Sequence, residues 1–394
     1  MRMAGDHELD GWLRLSLTPG VGDVTARRLL TAFGLPEQVF AQPEAALRQV
    51  VSAAQARALL AQPPQWAHQC ELTHGWLAAG NNRHVLTLAD AAYPAELLEI
   101  ADPPLLLYAL GDASLLSHPK RLAVVGSRNP TAQGALTARD MCRSLAGAGV
   151  CIVSGLALGI DGAAHEGAMD AGGSTIAVVG TGLDRVYPRR HLDLAHRLAT
   201  QGLLISEFPL GTSPTAANFP KRNRIIAGLS QGTLVVEAAL ASGSLITARC
   251  AADMGREVLA IPGSIHSTQA KGCHALIRQG AKLVETAQDV LEELRVTGGA
   301  ALTSADNVPD PFADEAHLAD DMDNADEDGV PVGGSGSSGD AVLDCMGHVP
   351  IGLDAIQART GLPTATLQAQ LLDLELDGHL ARMPGGLFQR IVRT

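Results

Sequence analysis

Aromatic residues make up only 3% of the 394-residue chain, so flat side chains for stacking are few and each one matters. Cysteine is equally sparse. Cys70, Cys142, Cys151, Cys250, Cys273 and Cys345 are scattered, with no C-x-x-C and no zinc-type Cys/His cluster. A disulfide framework is therefore excluded, and buried thiols in a reducing cytosol are expected, with Cys142, Cys151 and Cys250 in apolar or small-residue surroundings. No uncharged apolar run reaches the roughly 20 residues that a membrane helix needs. The first thirteen residues carry charges and no apolar core, so no secretory leader is expected. A soluble, cytoplasmic protein without cofactor or metal follows as the expectation.

Basic charge is also short overall, since the net charge is −13. Its distribution changes the meaning. Eleven acidic residues fall between Val296 and Asp340, with no Lys or Arg among them, and the rest of the chain is nearly neutral. What is abundant is apolar material, 46% of residues, enough for a sizeable core. Length predicts two to four domains.

The Gly-, Ser- and Asp-rich stretch 297–340 cannot bury enough apolar surface to offset ordering entropy and reads as a disordered linker. It separates a small C-terminal module, 341–394, from the rest. Residues 1–80 read as an Ala/Leu-rich helical module, and 81–296 as the main domain. There, apolar runs begin near Leu122, Cys151, Thr175, Leu203, Thr233, Glu257 and Lys282, spaced 24 to 30 residues apart. Short β-branched runs alternating with helix-length amphipathic stretches predict βαβ units and a parallel sheet buried on both faces. The fold class is α/β, a Rossmann-like, doubly wound, mostly parallel sheet. Ligands of such sheets sit beyond the carboxyl ends of the strands, so function is sought there.

After the first strand come Gly126, Ser127 and Arg128, ahead of a helix whose free N–H groups suit an anion. Arg128 adds a forked, permanent cation. The alternative is a tight turn with a solvent-facing Arg. No G-x-G-x-x-G dinucleotide fingerprint is present. The second strand ends in Ser154-Gly155, and a helix follows with Asp161 and His165 four residues apart. That spacing allows an acid–base pair, but a structural reading is preferred: Asp161 caps the helix and His165 supports the neighbouring loop. Gly180-Thr181-Gly182 with Tyr187-Pro188 forms a second phosphate-type turn, and the fourth strand ends at Ser206-Glu207. The fifth ends at Glu237 and leads to Ser242-Gly243-Ser244.

The densest signal is Phe219-Pro220-Lys221-Arg222-Asn223-Arg224, which opens a helix continuing through Ile225, Ile226 and Leu229. Three cations in four residues beside an aromatic ring is the composition that single-stranded nucleic acid requires. Solvated charges with a core Phe219 is the competing reading. Topology predicts that Arg128, Lys221, Arg222 and Arg224 converge on one basic pocket, although Arg222 or Arg224 can instead pair with Glu207 or Glu237.

Taken in order, Gly126-Ser127-Arg128, Ser154-Gly155…Asp161…His165, Gly180-Thr181-Gly182…Tyr187-Pro188, Phe219…Arg222-Asn223-Arg224, Val236-Glu237-Ala238 and Ser242-Gly243-Ser244 resemble the DNA-processing protein A (DprA/Smf) family, over about residues 83–294. The resemblance implies a binding protein, not an enzyme. It would bind single-stranded DNA in natural transformation, displace or coexist with single-strand-binding protein, and load a RecA-type recombinase. It would act as a homodimer through the Rossmann-like domain and without a membrane. DNA contacts carried over are Gly126, Ser127, Arg128, Ser154, Gly155, Thr181, Gly182, Phe219, Lys221, Arg222, Asn223, Arg224, Ser242 and Ser244, supported by Asp161, His165, Glu207 and Glu237. Many relatives carry a Lys shortly before this Phe, where Thr215, Ala216 and Ala217 stand here.

Near the N-terminus, Thr18-Pro19-Gly20-Val21-Gly22 between two helical stretches resembles a helix-hairpin-helix of a SAM-like module, with Arg27 and Arg28 nearby. The C-terminal segment resembles a winged helix. Its recognition-helix equivalent has no Lys or Arg and carries Asp373, Glu375 and Asp377, a poor match for phosphate. The rival reading is a nucleotide or phosphoribosyl hydrolase of a related Rossmann-like group, using Glu237 and the Asp161/His165 pair. The P-G-G-x-G-T-x-x-E run expected of that group is absent.

Overall fold

The computed structural model describes residues 4–297, 342, 351–376, 380–382 and 387–390. It divides into two compact units, Met1–Gly298 and Gly299–Thr394. The acidic stretch expected as a linker, Cys345 and the tip of the C-terminal hairpin lie outside the described residues.

The first unit begins with six helices: α1 (Ala4–Leu17), α2 (Asp23–Phe33), α3 (Pro36–Phe40), α4 (Glu44–Leu47), α5 (Ala53–Leu60) and α6 (Trp66–Ala78). Gly20, at φ +76°, makes the tight turn between α1 and α2 that the sequence suggested. Strands β1 (Arg83–Thr87) and β2 (Leu106–Gly111), with α7 (Ala95–Leu98) between them, form an antiparallel edge that the pattern of runs did not predict. Trp12, Leu29, Leu47 and Leu59 share one core with Tyr108 of β2 and Leu210. The core thus crosses the boundary expected at residue 80.

The seven remaining strands fall on the seven apolar runs. They are β3 (Arg121–Val125), β4 (Cys151–Ser154), β5 (Thr175–Val178), β6 (Leu203–Ser206), β7 (Gly232–Val235), β8 (Glu257–Ala260) and β9 (Lys282–Leu283). The helices between them are α8 (Ala132–Gly147), α9 (Ile160–Asp170), α10 (Leu192–Gln201), α11 (Asn218–Leu229), α12 (Ser244–Asp253) and α13 (Lys271–Arg278), with α14 (Ala287–Thr297) last. The sheet order is β1-β2-β6-β5-β4-β3-β7-β8-β9, and β3 to β9 are mutually parallel.

Alternation along each strand explains why both faces are covered. In β3, Ala123 and Val125 face a core that includes Ile225, Ile226 and Ala248 of α11 and α12. Leu122 and Val124 face the opposite core with Ala138, Cys142 and Ala164 of α8 and α9. The chain winds outward from β3 to β6, then returns through α11 to place β7 on the other side of β3. That reversal is the topological switch point, between β3 and β7.

Burial pushes the thiol of Cys151 up to about 12 and that of Cys273 to about 11, so neither is reactive at neutral pH. Cys250 is only partly buried, against the expectation of a core thiol.

In the second unit, β10 (Ile351–Gly352), α15 (Leu353–Thr360), α16 (Thr364–Leu376), β11 (Leu380–Arg382) and β12 (Leu387–Arg390) form a winged-helix domain. Its strands are ordered β10-β12-β11, and Ile356, Leu367, Leu371 and Phe388 lie in its core. Among the described residues, no helix is long and apolar enough to cross a membrane.

Candidate functional site

A cleft of about 750 Å³ opens at the carboxyl ends of the strands. The β3–α8 turn, the start of α11 and the loop leading into α12 line it, and Tyr187 and Gln269 close its sides. A narrow recess continues it between Arg128, Gly155, Gly180, Tyr187, Phe219 and Arg222.

Arg128 is exposed, and its guanidinium lies 5.2 Å from the centre of the Phe219 ring. It makes no hydrogen bond or ion pair among the described residues, so its N–H fork is open to a ligand. Stacking a planar cation on an aromatic face holds the fork in place without consuming its donors. Phe219 is therefore neither a core residue nor a free platform. Tyr187 packs on it at 5.5 Å between ring centres, and the Phe219 Cδ1 lies 3.0 Å from where a Cβ on Gly180 would stand.

Only two of the four expected cations reach the cleft. Arg222 is 4% exposed and forms its floor, donating through Nη1 to the carbonyls of Gly155 at 2.5 Å and Val178. Glycine at 155 makes room for this, because a Cβ would stand 2.3 Å from that nitrogen and displace the guanidinium. Burial lowers the Arg222 guanidinium to about 10 against the pull of Asp161, so it stays charged at neutral pH. Lys221 and Arg224 turn away. Cations in the opening turns of a helix oppose its dipole, and here carboxylates from other elements neutralise them. Arg224 pairs with Glu207 at 2.6 Å, Asp102 at 2.8 Å and Asp23 of α2 at 3.4 Å. Lys221, half exposed, reaches Glu207 at 2.9 Å and Asp23 at 3.4 Å. The single four-cation pocket is thus corrected to a two-cation cleft and a separate ionic cluster that joins α2 to α11. Burial raises the carboxyl of Glu207 above the usual range, while Arg224 and Lys221 draw it back.

The two arginines of α2 beside the expected helix-hairpin-helix turn are also committed to packing within this unit. Arg27 donates to the carbonyls of Ile100 and Leu98, and Arg28 to that of Val50.

The N-terminus of α8 was expected to offer free N–H groups to an anion. Instead the Glu237 carboxylate accepts the Thr131 amide at 2.9 Å and its hydroxyl at 2.6 Å. The Glu237 carbonyl also accepts the Ser127 amide at 2.7 Å, which fixes the turn that carries Arg128.

Asp161 does not cap α9; the N-cap is Gly159. Its carboxylate accepts the amides of Gly155 at 3.1 Å and Ala157 at 3.3 Å and holds the β4–α9 loop. Burial raises its pKa, and Arg222 opposes that shift. His165 is bound to Thr175 Oγ1 at 2.7 Å, since Thr175 donates to Ile152, so it pins β5 and not a loop. Burial lowers its pKa to about 3. The two side chains have separate partners and form no acid–base pair.

Ser154 is fully buried, and its hydroxyl donates to the Val124 carbonyl. Thr181 and Gly182 are buried too, and the Gly182 amide donates to Thr212 at 3.1 Å, so that turn is filled by the chain itself. Ser242 and Ser244 do line the cleft, with hydroxyls 2.7 Å apart. Asn223 lines it as well and donates to the Gly243 carbonyl at 3.3 Å. Tyr187 was read only as part of a phosphate-type turn, and Ile246 was missed; both line the cleft. The chain's few aromatics were the available signal for Tyr187.

Fold and cleft define the class: a Rossmann-like protein with a cationic and aromatic cleft at its topological switch point, followed by a winged-helix domain. The model of the family described as DNA recombination-mediator protein A matches residues 84–295, and that of the DprA winged helix domain matches 335–386. The chain belongs to the DNA recombination-mediator protein A (DprA/Smf) family. It is 43% identical over 312 residues to Protein Smf of Escherichia coli K12, covering 79% of this chain and 78% of that one. It is 50% identical over 207 residues to the DNA processing protein DprA of Streptococcus pneumoniae R6, covering 52% and 73%. The X-ray structure of DNA processing protein A from Streptococcus pneumoniae matches with a TM-score of 0.63 at 37% identity, over 74% of this chain and 99% of that one.

Proposed function

We propose that this protein processes DNA by binding a single strand in the cleft at the switch point, and that it does so in natural transformation. There it shields the incoming strand, displaces or coexists with single-strand-binding protein, and loads a RecA-type recombinase. It works in the cytoplasm as a homodimer joined through the Rossmann-like domain. Its relatives carry the name DNA processing protein. The observation that carries the reading is Arg128: an exposed, unpaired guanidinium stacked on Phe219 at the mouth of a cleft large enough for several nucleotide groups.

Binding and not turnover is the role that the side chains favour. Glu237 has both carboxylate oxygens held by Thr131, His165 is fully buried against Thr175, and Asp161 gives one oxygen to two amides, so the rival hydrolase has no acid–base pair among them. Anisotropy with a labelled oligonucleotide at several salt concentrations tests the proposal. Single-strand binding should show a salt slope of about 0.7 per phosphate neutralised. Arg128→Ala should weaken binding to every sequence and flatten the slope by about that amount. Arg128→Lys should restore part of the slope but little of the affinity, because an ammonium neither forks nor stacks as well. Folded Arg128→Ala protein with wild-type affinity and slope would place the strand elsewhere.

A further inference from the structure

The cleft has uncharged surfaces that contact with phosphates does not use. Phe219, the ring expected to stack on a base, is already covered by Arg128, Tyr187 and the Gly180 backbone. Tyr187, in contrast, is 45% exposed, has Phe219 as its one aromatic neighbour among the described residues, and lines both the cleft and its recess. Along another part of the lining, residues 239–247 contain no charge. Ala239, Ala241 and Ile246 line the cleft, and Leu240, between the two alanines, is 62% exposed. Ile246, in the first turn of α12, is 38% exposed.

A single exposed leucine says little. Here an exposed aromatic ring and an exposed aliphatic side chain, Ile246, line one cleft together with an unpaired cation, and exposed Leu240 lies between two of its lining residues. A ligand that matches this division has an anionic edge and flat apolar faces, which is the chemistry of unpaired nucleotides. We propose that the nucleobases of the bound strand rest on Tyr187 and on the Leu240–Ile246 lip, while Arg128 holds the phosphates. This rests on the single-strand reading above and adds the base-contacting surface to it. Phe219 then acts as a positioning residue that holds both Arg128 and Tyr187.

The test separates base contact from phosphate contact by using two probes with the full chain: an oligothymidylate, and an abasic strand of equal length and charge. Stacking of one base is worth enough for a loss of about tenfold or more on truncation. Tyr187→Ala should lose about that much on oligothymidylate, bind the abasic strand like wild type, and keep the salt slope. Tyr187→Phe should bind both like wild type. Leu240→Asn, at a position whose exposure puts folding at no risk, should lose about two- to fivefold on oligothymidylate alone. Arg128→Ala should weaken both probes. Equal losses on both probes for Tyr187→Ala, or none on either, overturns the base-contacting role of Tyr187. A Leu240→Asn variant that changes the oligomeric state by light scattering yet leaves both affinities unchanged makes the lip a subunit contact and overturns its part. If Arg128→Ala alone has no effect while Tyr187→Ala discriminates the probes, the base surface stands and the Arg128 reading falls.

Discussion

The Glu237 carboxylate closes the N-terminus of α8 by taking both the amide and the hydroxyl of Thr131, at 2.9 and 2.6 Å. In a doubly wound sheet that helix end, beside the switch point, is where a nucleotide phosphate would seek N–H donors. The chain supplies its own anion instead. Gly134 makes room for it, since a Cβ there would stand 2.2 Å from the carboxyl carbon.

Glu237→Ala should therefore act on stability, with a loss of about 1–3 kcal/mol from two hydrogen bonds to Thr131, whose own hydroxyl caps the helix by accepting the Gly134 amide. Glu237→Gln keeps an oxygen acceptor for the Thr131 amide and should bind oligonucleotide like wild type. Chemical denaturation and anisotropy check the two statements. Sustained nucleotide hydrolysis by the wild type that vanishes in Glu237→Gln would make this residue catalytic after all.

The parallel strands were legible because burial on both faces turns each into a continuous apolar run, as in Leu122–Val125. The edge pair β1 and β2 was not, since Arg83–Thr87 is only partly buried and antiparallel pairing leaves no crossover helix to mark it. The site divides along similar lines. Topology brought Arg128 and Arg222 to one edge correctly. The pairing of Arg224 with Glu207 was among the sequence alternatives, but its further partners Asp102 and Asp23, the latter 201 residues distant, were not, because no local pattern encodes them. Exposure of Tyr187 is likewise a tertiary fact, because the run Tyr187-Pro188 reads only as a turn.

The ionic cluster makes a prediction that opposes a simple count of basic residues. Glu207 is 3% exposed on its side chain, so removing Arg224 leaves a buried carboxylate with the half-exposed Lys221 as its remaining cation. Arg224→Ala should cost about 2–3 kcal/mol of stability. Lys221→Ala, at a side chain 46% exposed, should cost less than about 1 kcal/mol. Thermal melts of the two variants at one salt concentration make the comparison. An Arg224→Ala protein as stable as wild type would mean that the cluster is not structural.

The winged-helix domain offers α16 as its recognition-helix equivalent, and that helix has no Lys or Arg. Counterion release, the main source of nucleic-acid affinity, needs cations. A chain ending at residue 298, the end of the first compact unit, should bind oligonucleotide within tenfold of the full chain, about 1.4 kcal/mol. Circular dichroism would confirm its folding. A larger loss from folded protein would assign DNA contact to the C-terminal unit.

His165 supplies a pH dependence with a definite sign. It is fully buried and neutral, with Nδ1 donating to Thr175, and burial lowers its pKa from 6.5 to about 3, helped by His191 and Arg222. The unfolded chain therefore binds a proton that the folded chain refuses. The stability contributed is complete above the unfolded value and is lost as pH falls from about 6.5 toward 3. Between pH 7 and pH 5 the loss from this group alone is about 2 kcal/mol. His165→Asn keeps a donor for Thr175 but cannot titrate, so its stability at neutral pH will be lower while its decline toward pH 5 is shallower by about that amount. Denaturation midpoints of the two proteins across this range decide the matter. Parallel curves would mean that His165 is already accessible to protons in the folded state.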